Sequence, residues 1–229
     1  MNVIDTFGPK IAKTQISQSD NEKLHKICLD CDINFTPELD KTNNFSYIQN
    51  VKEQGNITEL LKNSSVYYVL LDKIQEYLKN IDSGLWQDII NTNEVKHLME
   101  LKKAWYNKQT DMEYTSYHDH RHSADVVCVL YPKIYLDKDE KYFEENKLAR
   151  KTGQLFFIYG EPIKNDFGKT TIVVQPQERD MYIFPSTLGH YTSPVLGESE
   201  RYSISCNFVF TSTAERLLQK YKKKAIDEN

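Results

Sequence analysis

The residues of this chain whose types and spacing could do chemistry are histidines. The run Tyr117-His118-Asp119-His120-Arg121-His122 is followed, far downstream, by Phe184-Pro185-Ser186-Thr187-Leu188-Gly189-His190 and then by Arg201-Tyr202-Ser203. In an extended strand, residues i and i+2 point to one face. His118 and His120 can therefore aim both imidazoles into one cavity while Asp119 points away. His190, arriving from a separate segment, can complete a three-ligand facial set. The pair His120 and His122 is the alternative register.

A facial set of three protein ligands leaves positions open for a bidentate ligand and for O2, the arrangement of non-haem Fe(II) centres. Arg201 opens the next strand-like stretch. A guanidinium there can clamp a carboxylate bidentately at the far end of a pocket, as a bound 2-oxo acid requires. Ser203, two residues on and on the same face, can add a hydroxyl hydrogen bond. None of these pieces is specific alone. A single strand histidine is usually a satisfied polar residue, and Arg-x-Ser occurs in ordinary edge strands. Their order and spacing together carry the reading.

These side chains need strands to position them, and the chain changes period at the right place. Before residue 97 the pattern is mainly helical. Ile4 to Gln15 can form an edge strand, Ser17-Gln18-Ser19-Asp20 offers N-caps for a helix to about Cys31, and residues 32–56 are polar and irregular. Leu60, Leu61, Val66, Val69, Leu70, Ile74, Tyr77 and Leu78 then recur at helical spacing, with a break near Ser64-Ser65. From residue 97 the period is two. Short apolar stretches at 98–106, 126–131, 154–159, 170–174, 180–184 and 202–210, with polar turns between them, predict a sandwich or barrel-like roll. A basic helix over about 213–224 closes the chain. One domain, 1–229, is expected: a mainly helical flank (1–96), a strand core (97–211) and a C-terminal helix (212–229).

Composition narrows the function classes. With 229 residues, 39% hydrophobic and 27% charged, the chain reads as a soluble globular protein. A net charge of −4 gives no general affinity for nucleic acid or anionic membrane. The basic end, Lys220-Tyr221-Lys222-Lys223-Lys224, complements a helix dipole. No run approaches the roughly 20 apolar residues of a membrane span. The first residues lack the basic and apolar regions of a signal peptide, so a cytoplasmic location is expected, or the host cytoplasm if the source is viral. Cys28 and Cys31 form a CxxC with no second pair to make a zinc site. It lies in a helical stretch, so helix packing and reduced thiols are expected, as for Cys128 and Cys206.

The stretches Trp105–Gln109, Glu113–His120, Gly153–Phe157, Asp180–Pro194 and Arg201–Phe208 resemble the 2-oxoglutarate/Fe(II)-dependent dioxygenases, in particular their prolyl-hydroxylase-like branch with its bacterial and phage members. The resemblance spans about 105–210. It implies an α+β fold with a double-stranded β-helix (jelly-roll) core and helices from the N-terminal part packed on one face. His118, His120 and His190 become Fe(II) ligands. Arg201 takes the distal carboxylate of 2-oxoglutarate, Ser203 assists, and Tyr114 or Tyr131 donates a second hydrogen bond. The implied reaction hydroxylates a C–H bond, with release of succinate and CO2 and with ascorbate as supporting reductant. One departure stands out: the common pattern is His-x-Asp, and this chain has His118-x-His120. The substrate class implied is a peptide or protein, with a peptidyl proline first, or a small molecule; a homodimer is allowed, and no nucleic acid or membrane partner is expected. Trp105, Tyr106, Tyr114, Tyr131 and Phe157 offer an aromatic wall, and the polar stretch 133–152 a lid. Two alternatives stay open: a cupin-like metal-binding protein using the same histidines without 2-oxoglutarate, and a structural jelly roll without catalysis.

Overall fold

Strict alternation along single strands builds the core. In the segment Glu200–Phe210, residues Tyr202, Ile204, Cys206 and Phe208 enter one hydrophobic cluster, whereas Arg201, Ser203, Ser205 and Asn207 fall on the opposite face. In Val126–Tyr135, residues Val126, Cys128 and Leu130 join that same cluster, while Val127, Val129 and Tyr131 join a second one. Met181 and Ile183 against Tyr182 and Phe184 repeat the division. Each strand thus separates two layers, as a period of two requires.

The computed structural model describes residues 2–4, 8–31, 49–51, 53–81, 95–136, 152–160 and 170–227. Its strands are β1 (Asn2–Ile4), β2 (Ile11–Gln15), β3 (Gln49–Asn50), β4 (Glu53–Asn56), β5 (Met99–Gln109), β6 (Tyr114–Thr115), β7 (Val126–Tyr135), β8 (Leu155–Ile158), β9 (Thr171–Val174), β10 (Asp180–Pro185), β11 (Gly189–Thr192) and β12 (Glu200–Phe210). Its helices are α1 (Gln18–Asp30), α2 (Thr58–Lys62), α3 (Val66–Asn80), α4 (Val95–Leu98) and α5 (Ser212–Asp227). The major sheet has the order β1-β2-β10-β7-β12-β5-β4, and a minor sheet the order β11-β8-β9, all pairs antiparallel. A third pair, β3 with β6, lies beside β11. The two larger sheets face each other across the cluster of Val127, Val129, Tyr131, Leu155, Phe157, Tyr182 and Phe184. This is an α+β double-stranded β-helix with helices on the outer face of the major sheet.

The helices attach by the means their sequence announces. Ser17 caps α1 by accepting from the Asp20 amide at 3.1 Å. Leu24 and Cys28 bury on its inner face, and Asn21 Nδ2 donates to the Pro132 carbonyl at 2.9 Å, pinning the helix to β7. Val66, Leu70, Leu71, Ile74, Tyr77 and Leu78 form the buried stripe of α3. The expected break near Ser64-Ser65 is the gap between α2 and α3. The four cysteines are all buried, and burial pushes the Cys28, Cys128 and Cys206 thiols up.

One feature departs from the expected layout, and one expectation falls outside the described residues. The major sheet runs past the boundary at residue 97: β1, β2 and β4 all belong to it, so the N-terminal part contributes strands as well as helices. The reason is edge cover, since β2 pairs along β10 and β4 along β5. The proposed lid falls mainly on residues 137–151, outside the described residues.

Gly55 in β4 lies directly over Tyr106 and Cys31. A Cβ there would meet Tyr106 Cε1 at 2.3 Å and Cys31 Sγ at 2.5 Å. Both groups are buried, so overpacking costs about 1–3 kcal/mol. Gly55→Ala is expected to lower the thermal midpoint by several degrees; an unchanged melting curve would contradict this packing.

Candidate metal and anion site

His118 and His190 are held opposite each other by an isolated antiparallel bridge. The His118 amide donates to the His190 carbonyl at 3.0 Å, and the His190 amide donates back to His118 at 2.9 Å. His190 sits on β11, between Phe184 at 4.9 Å and the His118 ring at 4.3 Å, centroid to centroid. The His120 amide is fixed to the Ser186 carbonyl at 2.8 Å, which turns its ring back toward β11. The His120 and His190 rings then stack, with their Nε2 atoms 3.3 Å apart. All three side chains offer ligand atoms within 4.8 Å of one another.

Hydrogen bonds on the far side of two rings fix which nitrogen faces inward. His118 Nδ1 lies 2.7 Å from the Ser116 carbonyl, and His190 Nδ1 lies 3.0 Å from that of Leu188. A carbonyl can only accept, so each Nδ1 carries the proton and each Nε2 offers its lone pair to the cavity. Burial is the leading cause that pulls all three histidines below their usual range, His120 to about 3, and mutual repulsion within the cluster lowers His120 and His190 further. The cluster is therefore neutral at pH 7, as metal ligands must be.

A pH dependence follows for the metal-free fold. Above pH 6.5 these rings are neutral in both folded and unfolded chains, and stability is indifferent to them. As pH falls through 6.5, the unfolded chain takes up protons that the folded site refuses until about pH 3 for His120. Stability must fall across that window. Denaturant titrations at pH 7.5 and 5.5 are expected to show lower stability at 5.5, with the difference reduced when all three histidines are replaced.

The second half of the site lies along β5 and β12. Their register sets Arg201 against Gln109, Ser203 against Asn107 and Ser205 against Trp105. Arg201 is 1% exposed. Its Nη1 donates to the Gly153 carbonyl at 2.7 Å, its Nη2 donates to Gln109 Oε1, and its guanidinium carbon lies 5.7 Å from the Tyr131 ring centroid. Burial pulls its pKa down, and Tyr131 opposes that shift. Among the described residues no carboxylate pairs with it, and its Nε has no partner. A guanidinium this deep without an anion is costly. Its surroundings fit a carboxylate supplied from outside. The nearby Asn107 Oδ1 is also buried and unpartnered.

Most expected site residues come together, with corrections of detail. His118, His120 and His190 converge, and Arg201 and Ser203 share the inward face of β12 with Tyr131 close by. His118 and His120 lie on an extended stretch with a single bridge rather than in a regular strand, because residues 116–120 follow β11 without a continuous ladder. His122 lies in an exposed turn, which removes the alternative register. Tyr114 is 37% exposed; Thr115 takes the inward position on β6, where its Oγ1 meets Gln109 Nε2 at 3.4 Å. The structure thus does not bring Tyr114 to Arg201. Of the aromatic wall, Trp105 stacks on His120 at 5.8 Å and Phe157 lies 6.4 Å from His190, whereas Tyr106 faces the helical side and stacks on Tyr202. Asn107, Gln109 and Asn207 were not anticipated. The signal that finds Asn207 is its place between the apolar Cys206 and Phe208 on β12.

Residues 103–207 match the family described as "Putative 2OG-Fe(II) oxygenase". No curated protein matches the sequence. Among solved structures, a Pseudomonas putida prolyl-4-hydroxylase is similar with a TM-score of 0.54 at 12% identity, covering 88% of this chain and 93% of its own. HygX from Streptomyces hygroscopicus, with nickel, 2-oxoglutarate and hygromycin B bound, gives 0.55 at 11%, covering 91% and 85%. A prolyl hydroxylase from Trichoplax adhaerens, in complex with a hypoxia inducible factor peptide fragment, gives 0.53 at 12%, covering 91% and 86%. At these identities the structural likeness speaks for the fold.

Proposed function

We propose that this chain, whose residues 103–207 match the 2OG-Fe(II) oxygenase family, hydroxylates a C–H bond of a peptide or small-molecule substrate, with His118, His120 and His190 as metal ligands and Arg201 as the anchor of 2-oxoglutarate. The observation that carries this assignment of residues is the pairing of three neutral, converging imidazoles with a buried guanidinium that has no internal anion. The donor set fits Fe(II): two Nδ1 atoms are committed to carbonyls, which leaves two Nε2 lone pairs aimed inward. The pocket also fits a dicarboxylate. One end meets the Arg201 fork, with Ser203 and Asn107 between that fork and the histidines along the same sheet face.

Fe(II) held by His118, His120 and His190 would supply the oxidising power together with 2-oxoglutarate and O2, with succinate and CO2 as co-products. The protein's own residues do the rest. Arg201, oriented by the Gly153 carbonyl and Gln109 Oε1, would hold the far carboxylate and so set how the keto-acid end reaches the histidines. Phe157, Phe184 and Tyr131 keep the cavity dry, so the charges inside it act at low dielectric. Trp105, partly exposed and stacked on His120, stands where a substrate would approach. The cupin-like alternative has no use for Arg201, whose burial it would leave uncompensated. A peptidyl proline is the first substrate to test, since two of the similar folds belong to proteins named as prolyl hydroxylases.

The test is succinate release from 2-oxoglutarate by protein purified without O2, then given Fe(II), ascorbate and air. Slow turnover without substrate is expected, rising with a proline-containing peptide library. Absence of both turnover and 2-oxoglutarate binding at sub-millimolar concentration would overturn the proposal.

A further inference from the structure

Two of the three clustered histidines have a backbone carbonyl behind Nδ1; His120 does not. Its Nδ1 is buried and has no hydrogen-bond partner among the described residues. An unpaired imidazole N–H in that position is costly. Without a fixed partner the ring is also free to put its proton on Nε2, the atom that must face the metal.

Asn207 is the side chain placed to answer this. It lies on the inward face of β12, 2% exposed, six residues beyond Arg201 on the same row. Its Nδ2 donates to Ser123 Oγ at 3.0 Å, and Ser123 in turn reaches the His120 carbonyl at 3.3 Å from Oγ and 2.9 Å from its amide. With Nδ2 so committed, the amide is oriented, and Oδ1 is left buried without a partner among the described residues. A buried donor and a buried acceptor, each without a partner among the described residues, thus belong to two residues that Ser123 ties together.

We propose that Asn207 is the positioning residue of His120: its Oδ1 accepts from Nδ1–H, with Ser123 holding the amide in that orientation, so that Nε2 stays deprotonated toward the metal. The inference rests on the metal-site reading above for its functional meaning. It matters here because this chain carries histidine where the common pattern carries aspartate. A carboxylate ligand has no tautomer to fix; an imidazole does, and its outer partner tunes both orientation and basicity.

Two measurements test it, the first without metal. In side-chain nitrogen–proton correlation spectra of the metal-free protein, His120 is expected as the Nδ1–H tautomer. In Asn207→Leu it is expected to shift to Nε2–H or to a mixture, while His118 and His190 keep their signals. An Nε2–H tautomer in the wild type, or no change in the variant, would overturn the proposal. Secondly, Co(II) titration followed by its visible absorption is expected to weaken by about 10- to 100-fold in Asn207→Leu. Asn207→Asp, which keeps an acceptor, is expected to restore binding to near wild type; equal binding by Asn207→Leu would contradict the assignment. Should Asn207→Leu fail to fold, Ser123→Ala decides in its place: a mixed His120 tautomer supports the proposal, and an unchanged one overturns it. If the wild type binds no Co(II), the metal reading fails, while the tautomer spectra still decide the role of Asn207.

Discussion

Arg201→Met is expected to abolish 2-oxoglutarate binding while leaving the metal-free protein as stable as the wild type, or more so. The two halves of this result have one cause. Arg201 is buried, loses affinity for its proton through desolvation, and among the described residues has a carbonyl, an amide oxygen and the Tyr131 ring as its polar and aromatic partners. A buried cation so served is a standing cost to the fold, and a volume-matched apolar side chain removes it. With 2-oxoglutarate bound, the same cation gains its anion, and truncating one partner of such a pair costs about 2–5 kcal/mol, roughly 30-fold to several-thousand-fold in affinity. Arg201→Lys is expected to fall between, since a point charge replaces a planar fork. Calorimetry with 2-oxoglutarate and a thermal melt without it check both halves. A variant that loses stability and keeps affinity would show that Arg201 is structural.

His190→Ala is expected to lose divalent metal binding by more than about 100-fold, beyond what an outer partner of a ligand produces, and to reduce succinate release to background. His190 has a central place in the cluster. It stacks on His120, lies closest to His118, and is walled by Phe184 and Phe157. The alanine variant keeps its backbone bridge to His118, so the sheet pairing survives and the loss reads on the ligand itself. His120→Asp is the informative companion. It supplies the carboxylate of the common pattern and is expected to retain metal. Co(II) absorption and calorimetry distinguish the two; metal binding by His190→Ala at wild-type strength would remove the triad assignment.

Much of this site was legible in the sequence because alternation made it so. Arg201, Ser203, Ser205 and Asn207 stand out against Tyr202, Ile204, Cys206 and Phe208, and only a strand with one apolar face accounts for that pattern. The same logic locates β7 and β10. It fails where the chain is extended without a ladder. Residues 116–120 have no continuous ladder to read, and β11 is four residues long with a glycine at its start, so the strand that carries His190 was not among the expected ones. Tyr114 was misplaced by one position, because a two-residue strand gives no phase from which to judge facing. Asn107 and Gln109 escaped notice because amide side chains in a strand look the same whether they face solvent or a cavity. The edge strands β2 and β4 could not be joined to the sheet from sequence, since their partners lie far away along the chain.

The bridge between His118 and His190 has a consequence for assembly. Its two hydrogen bonds join segments from opposite ends of the strand core, a closure that local structure cannot make early. The ligand set therefore does not exist until the roll has shut, and an unfolded or half-folded chain offers a metal no comparable grip. A metal bound by these histidines acts as a latch on the closed form, raising the free energy of opening with the logarithm of its concentration above the dissociation constant. The loading of the centre and the shutting of the roll are then one equilibrium, and depriving the protein of metal is expected to weaken the seam between His118 and His190.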